Sequence, residues 1–125
     1  MGDGLLTRDP EDKKVETTLL VSTAPPDDPR TASCLRLART LREAGENVEV
    51  LLLQDGVLVP TQRSSDGGRS FDELLREGVR FLVLEDDLRL RGFEKNDVGE
   101  GTQLVTYRAA VRRMAEAGIS VKGCF

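Results

Sequence analysis

The fold of this chain is decided by residues 80–92, RFLVLEDDLRLRG. The run from Val79 to Leu84 is apolar and β-branched apart from Arg80, which is typical of a strand covered on both faces. Three acids and a short helical turn follow, and Gly92 can end that turn. Ligands of open α/β sheets gather at the carboxyl ends of strands. The stretch therefore predicts the central strand of a parallel sheet, with a site at residues 84–87.

The residues before this stretch predict a strand, a helix and a second strand. Residues 15–22 and 48–53 are rich in leucine and β-branched residues, as strands are. Residues 30–44 have helical spacing of apolar positions, with Asp28 as the predicted N-cap and Pro29 at the first helical position. A strand, helix and strand of these lengths predict a right-handed parallel crossover.

Between residues 61 and 79 the sequence predicts a loop and a short helix. Residues 61–69 are rich in Ser, Gly and Asp, which favours a flexible loop. Ser70 and Glu73 have the spacing of a capping box, and Gly78 can end the helix that they begin.

The last part of the chain predicts a connector, a long helix and a strand. We expect residues 93–101 to be a charged connector with a brief strand at 96–98. Thr102 is the predicted cap of the last helix, because apolar residues from Leu104 onward repeat at helical spacing. Residues 119–125 predict a final short strand.

Alternating strands and helices predict an α/β fold. We expect a flavodoxin-like three-layer α/β/α sandwich, with a mainly parallel sheet of four to five strands. Residues 1–14 predict a flexible N-terminal tail, and residues 15–125 a single domain.

Charge and hydropathy limit the possible partners. The net charge is −4 and the isoelectric point is near 4.9, so no basic excess is present to neutralise the phosphates of a nucleic acid. No apolar run is long enough for a membrane span, and the first residues lack the apolar core of a signal peptide. We therefore expect a cytoplasmic protein with no nucleic-acid or membrane partner.

The residue types that are missing limit the chemistry. The chain has no histidine, which excludes Ser-His and Cys-His nucleophile pairs and imidazole ligands. Two cysteines are too few for a four-thiolate zinc site. No glycine-rich phosphate-binding motif occurs, so the sequence predicts neither a nucleotide nor any other cofactor.

Two segments carry a family resemblance. The first is a strand followed by acids and then by Leu-Arg-Leu-Arg-Gly at residues 88–92. The second is Gln-Asp-Gly-Val at residues 54–57, after a Leu-rich strand. Together they resemble the DsrE/DsrF/DsrH (TusB/C/D) family of small sulfur-relay proteins. The resemblance implies a protein that forms homo- or hetero-oligomers with DsrE-like subunits. It also implies a persulfide-forming cysteine at the end of the mid-chain strand, where this chain has Leu84.

Two groups of residues are candidate sites. Leu84, the acids Glu85, Asp86 and Asp87, and Arg89 could contact a basic partner or a cation, or the acids could simply cap and stabilise the following turn. A metal would need further ligands, so we expect none.

The two cysteines are predicted to differ. We expect Cys124, which follows a lysine and a glycine, to lie on an exposed, flexible tail, where it could be a reactive thiol or an incidental terminal cysteine. Cys34 lies on the apolar face of the first helix, which favours a packed core residue over a nucleophile.

Three functions remain open. The first is a docking or structural subunit of a sulfur-relay assembly, which is not an enzyme because Leu84 replaces the strand-end cysteine. The second is a sulfurtransferase with its persulfide on Cys124, which could exchange sulfur with a carrier protein. The third is a small-ligand binding module unrelated to sulfur, because fold alone does not fix function.

Overall fold

The computed structural model describes residues 16–63 and 65–124. Within that part of the chain the strands are β1 (Thr17–Ser22), β2 (Asn47–Leu52), β3 (Arg80–Leu84), β4 (Thr102–Val105) and β5 (Ile119–Gly123). The helices are α1 (Pro29–Glu43), α2 (Asp66–Arg76), α3 (Glu85–Leu90), α4 (Lys95–Val98) and α5 (Tyr107–Ala115), with a 3₁₀ helix at Gln54–Thr61. The predicted tail, residues 1–14, lies outside the described residues.

The strands form one parallel sheet in the order β4-β3-β2-β1-β5. The steps from β1 to β4 all run in one direction, so right-handed crossovers place the intervening helices on one face. The step from β4 to β5 runs the other way and places α5 on the opposite face. The predicted three-layer α/β/α sandwich is confirmed.

The two faces of the sheet have separate cores. One core lies under α1 to α4 and the 3₁₀ helix, with Phe71 and Phe81 packed edge to face at its centre. The other is smaller and lies between the sheet and α5, where Ala110 is buried. Alternate residues of each strand enter opposite cores, which explains why the strands are almost continuously apolar.

The first crossover forms as the sequence predicts. The Asp28 side chain accepts a hydrogen bond from the Arg30 backbone N–H at 2.8 Å, and Pro29 is the first helical residue. Gly45 follows the helix with a φ of 89°, which an L side chain rarely adopts. The predicted cap, proline position and helix end are confirmed.

The predicted start of α2 is wrong. The helix is capped by Ser65, whose side chain accepts a hydrogen bond from the Gly68 N–H, and not by Ser70. Gly67 and Gly68 lie in the first turn of this helix and pack closely against the chain: an added Cβ would lie 2.5 Å from the Pro26 carbonyl oxygen and 2.0 Å from that of Gln62. Tertiary packing therefore overrides the loop composition of residues 61–69.

The predictions between residues 93 and 106 are also wrong. Residues 95–98 form the helix α4 instead of a strand, with a reciprocal capping box between Glu94 and Asp97. Thr102 begins β4, and the last helix is capped by Thr106, which accepts from the Ala109 N–H at 3.1 Å. Leu104 pairs with Val83 in the sheet, so its helical spacing from later apolar residues is coincidental.

The additional strand also moves the centre of the sheet. Because β4 lies outside β3, the middle strand is β2 and not β3 as the sequence suggested. β3 is still an interior strand with a neighbour on each side, which explains its almost complete burial.

Candidate functional site

The structure brings the two cysteines together at the carboxyl ends of β1 and β5. Both line a hollow of about 420 Å³, which we call the thiol hollow. It is lined by Pro29, Arg30, Ser33, Cys34, Leu37, Gly123 and Cys124. Strand order reverses between β1 and β5, and such reversal points are where open α/β sheets form ligand clefts.

Strand register places Cys124 beside Ser22. Val21 pairs with Gly123 in the parallel ladder, and the Cys124 N–H donates to the Val21 carbonyl at 2.8 Å. Cys124 therefore continues β5 by one residue and faces the same side of the sheet as Ser22. Neighbouring strands lie roughly 5 Å apart, so the two side chains are adjacent.

Helix α1 supplies the second thiol. Cys34 is 1% exposed and packs in the core under this helix, as the apolar face predicted, whereas Cys124 is only partly buried against the same core. Burial raises the pKa of the Cys34 thiol, and the charge and hydrogen bonding of Cys124 raise it further. The more accessible Cys124 is therefore the thiol that solvent and small molecules meet first.

The Ser22 hydroxyl completes this cluster. Ser22 is 1% exposed, and its oxygen makes no standard hydrogen bond within the part of the chain that the structure describes. The hydroxyl lies near the Cys34 sulfur and favours its thiolate, opposing the effect of burial. A buried hydroxyl without a standard partner is costly, which marks this position as unusual.

The predicted acidic turn, Glu85 to Asp87, makes mainly structural contacts. Asp87 accepts a hydrogen bond from the Gln54 N–H at 2.7 Å and so holds the start of the 3₁₀ helix. Glu85 pairs with Arg89 one helical turn later at 2.7 Å. Asp86 is exposed, and no hydrogen bond or ion pair engages it among residues 16–63 and 65–124.

Leu84 precedes these acids and is 6% exposed, packed in the core beneath α5. It is the N-cap of α3 and makes no side-chain cap, so no acid caps this helix as one interpretation of the sequence suggested. The acids occupy the first turn instead, where the helix dipole favours negative charge. A hollow of about 230 Å³ beside them is lined by Glu85, Leu88, Arg89, Glu94, Lys95 and Leu104.

A buried ion pair on the opposite face was not predicted. The Glu49 side chain is 3% exposed, and the Arg113 guanidinium binds both of its oxygens at 2.9 and 2.5 Å. The pKa of Arg113 is raised, first by its hydrogen bond to Glu49 and then by one to Glu116. Arg80 lies 3.5 Å from the same carboxylate. This pair joins α5 to β2 of the sheet.

Neither a metal site nor a membrane helix is found in the part of the chain that the structure describes. No group of three or more His, Cys, Asp or Glu side chains there could hold a metal ion. No helix there is both long and apolar enough to cross a membrane.

Comparison with known proteins assigns the family. Residues 29–118 match the family model described as DsrH like protein. The chain is 29% identical over 105 residues to the uncharacterized protein MK0008 of Methanopyrus kandleri, covering 80% of this chain and 87% of that protein. It is 40% identical over 52 residues to protein TusB of Enterobacter sp., covering 42% of this chain and 50% of TusB.

Solved structures share the fold. MTH1491 of Methanobacterium thermoautotrophicum, a protein of unknown function, has a TM-score of 0.74 at 23% identity, covering 86% of this chain and 98% of that one. The ychN protein of E. coli has a TM-score of 0.76 at 17% identity, covering 86% of this chain and 98% of that one.

The match to the family model shows that the chain belongs to the DsrH-like family. This membership confirms the resemblance and implies a role in sulfur relay.

Proposed function

We propose that this protein is a docking subunit of a cytoplasmic sulfur-relay assembly and does not carry sulfur at its mid-chain strand end. The observation that carries the proposal is Leu84, an aliphatic side chain buried in the core at the position where the resemblance implies a cysteine. Family membership supports the relay context, and it implies that DsrE-like subunits are the partners. A leucine side chain has no sulfur, so this position cannot form a persulfide.

The proposed contact surface is the outer side of α3. Asp86 and Leu90 are one helical turn apart on this side, and Leu90 is 80% exposed. Asp87 and Glu85 are engaged within the chain, so Asp86 offers the available charge of the acidic turn. An exposed leucine beside a carboxylate fits a partner surface that presents an apolar pocket with a basic side chain at its rim.

The experiment is co-expression of the full chain with DsrE-like and DsrF-like subunits, followed by purification and light scattering. We expect Asp86→Arg and Leu90→Asp each to weaken assembly by about tenfold or more, because charge reversal and lost apolar contact act at a small interface. Glu100→Arg makes the same charge change at an exposed site before β4, at the opposite end of the sheet, and should leave assembly unchanged. Assembly that tolerates both α3 variants would refute this contact surface.

A second candidate function is sulfur transfer with a persulfide on Cys124. It is supported by the partial exposure of Cys124 at the thiol hollow, which leaves room for a donor or a sulfur-carrier protein. The reaction would transfer the outer sulfur of a donor persulfide to the Cys124 thiolate and release the donor thiolate.

Mass spectrometry after incubation with a persulfide donor tests this candidate. We expect one added sulfur on Cys124 that is absent in Cys124→Ser and is retained in Cys34→Ser, in which no second thiol can displace it. A protein that gains no sulfur on either cysteine would exclude sulfur transfer through its own thiols.

A further inference from the structure

We propose that Ser22, Cys34 and Cys124 form a thiol–disulfide exchange site that reacts with small disulfides and closes an internal bond between the two cysteines. The site does not depend on the docking role or on persulfide transfer. It rests on three observations: two thiols at one hollow, their unequal exposure, and a buried hydroxyl beside them.

The fold brings the two sulfur atoms together from opposite parts of the chain. Cys34 projects from the second turn of α1, and Cys124 is held by its backbone hydrogen bond to Val21 on the neighbouring strand. The sulfurs are close enough to interact, although both cysteines are free. A disulfide requires the two Cα atoms to lie within roughly 7 Å of each other, and the internal bond that we propose requires this spacing between Cys34 and Cys124.

Unequal exposure sets the order of reaction. Cys124 is partly exposed at the hollow, whereas Cys34 is buried and its pKa is raised, so Cys124 reacts first. The Cys124 thiolate, after losing its proton to solvent, attacks one sulfur of a small disulfide. A bond forms between Cys124 Sγ and that sulfur, and the other half leaves as a thiolate with the bonding electron pair.

Closure is the second step. The Cys34 thiolate attacks Cys124 Sγ, the internal disulfide forms, and the second half of the small disulfide leaves as a thiolate. Two protein thiols are oxidised by two electrons in total, and one small disulfide is reduced to two thiols that take up the two protons. No other oxidant is required.

Ser22 acts as a positioning residue in the closure step. Burial is the largest cause of the raised pKa of Cys34 and persists throughout, but once Cys124 is in a mixed disulfide its negative charge no longer raises that pKa further. The Ser22 hydroxyl makes no standard hydrogen bond to a described residue, so it is available to donate to the Cys34 sulfur as charge develops there. Its contribution is confined to the second step, because the first step occurs on Cys124.

The test exposes the reduced full chain to oxidised glutathione and follows intact mass with time. The wild-type protein should lose two hydrogen atoms and retain no glutathione. Cys34→Ser should keep one glutathione on Cys124, and Cys124→Ser should react at least about tenfold more slowly because its remaining thiol is buried. Ser22→Ala should form the mixed disulfide at the wild-type rate and close it several-fold more slowly.

Two results would overturn the proposal: a wild-type protein that accumulates a stable glutathione adduct, or a Cys124→Ser protein that is modified on Cys34 at the wild-type rate. Circular dichroism checks that each variant is folded, and Cys34→Ala replaces Cys34→Ser if the buried hydroxyl prevents folding. Failure here leaves subunit binding and persulfide loading intact, because those are measured without an added disulfide.

Discussion

Two regions at the carboxyl ends of the strands differ in how many of their polar side chains are engaged in hydrogen bonds or ion pairs within the chain. In the acidic turn after β3, Asp87 holds the 3₁₀ helix and Glu85 pairs within its own helix. In the thiol hollow at β1 and β5, a hydroxyl lacks a standard partner among the described residues, and the two cysteines are free. The comparison teaches that a cluster of acids that is obvious in the sequence can be structural, whereas residues far apart in the sequence, here Ser22, Cys34 and Cys124, can form a reactive site once the chain is folded.

The largest expected effect comes from closing the thiol hollow. A bond between Cys34 and Cys124 encloses a loop of about 90 residues, so oxidation should raise the free energy of unfolding by about 4–5 kcal/mol through lost chain entropy of the unfolded state. Urea denaturation of the oxidised and reduced protein measures this difference. Cys124→Ser, treated with the same oxidant, is the control and should not change. Equal stability of both wild-type forms would contradict the close approach of the two sulfurs.

The next effect tests the structural role of the acidic turn. Asp87→Ala removes the acceptor of the Gln54 N–H at a residue whose φ is 51°, so stability should fall by about 1.5 kcal/mol. Asp87→Asn retains an acceptor oxygen and should lose less. Asp86→Ala, one residue away and exposed, should stay within about 0.5 kcal/mol of the wild type. Equal losses of stability at the two positions would contradict the assignment of a structural hydrogen bond to Asp87 and not to Asp86.

The smallest effect concerns the rim of the thiol hollow. The Arg30 side chain, followed by the Arg30 N–H, lowers the pKa of Asp28 to about 2. A carboxylate with a lowered pKa stabilises the fold fully above its ordinary value of 3.8, and that contribution is lost as the pH falls through about 2. An NMR titration of the Asp28 carboxyl carbon should therefore give a midpoint near 2 that rises in Arg30→Ala. A wild-type midpoint near 3.8 would mean that this pair does not form in solution.

The sequence predicted the layered α/β fold correctly, but it predicted the helices and strands of the second half of the chain less accurately than those of the first half. Asp28, Pro29 and Gly45 are local signals, and local signals decide where α1 begins and ends. Gly67 packs against Pro26, a neighbour distant in sequence, and Leu104 matched a helical period while belonging to a strand. Local patterns cannot reveal either situation.

The candidate site shows the same limit. The sequence placed Cys34 on the buried side of α1, and this placement is confirmed. It placed Cys124 on an exposed, flexible tail, whereas Cys124 is partly buried and its N–H donates to the Val21 carbonyl. Their meeting depends on β5 lying beside β1, a pairing between opposite ends of the domain. If the strand order had been known, the sequence would have predicted that Ser22 and Cys124 are neighbours, because side chains alternate along a strand and these two then lie on the same face of the sheet.

The position of β5 has a consequence for how the domain fluctuates. β5 is the outermost strand on its side of the sheet, and its last three residues are exposed. Outer strands detach at a lower free energy than the whole domain unfolds. Each detachment would expose Cys34 to solvent. The rate at which an alkylating reagent labels that thiol would therefore measure how often β5 detaches from the sheet.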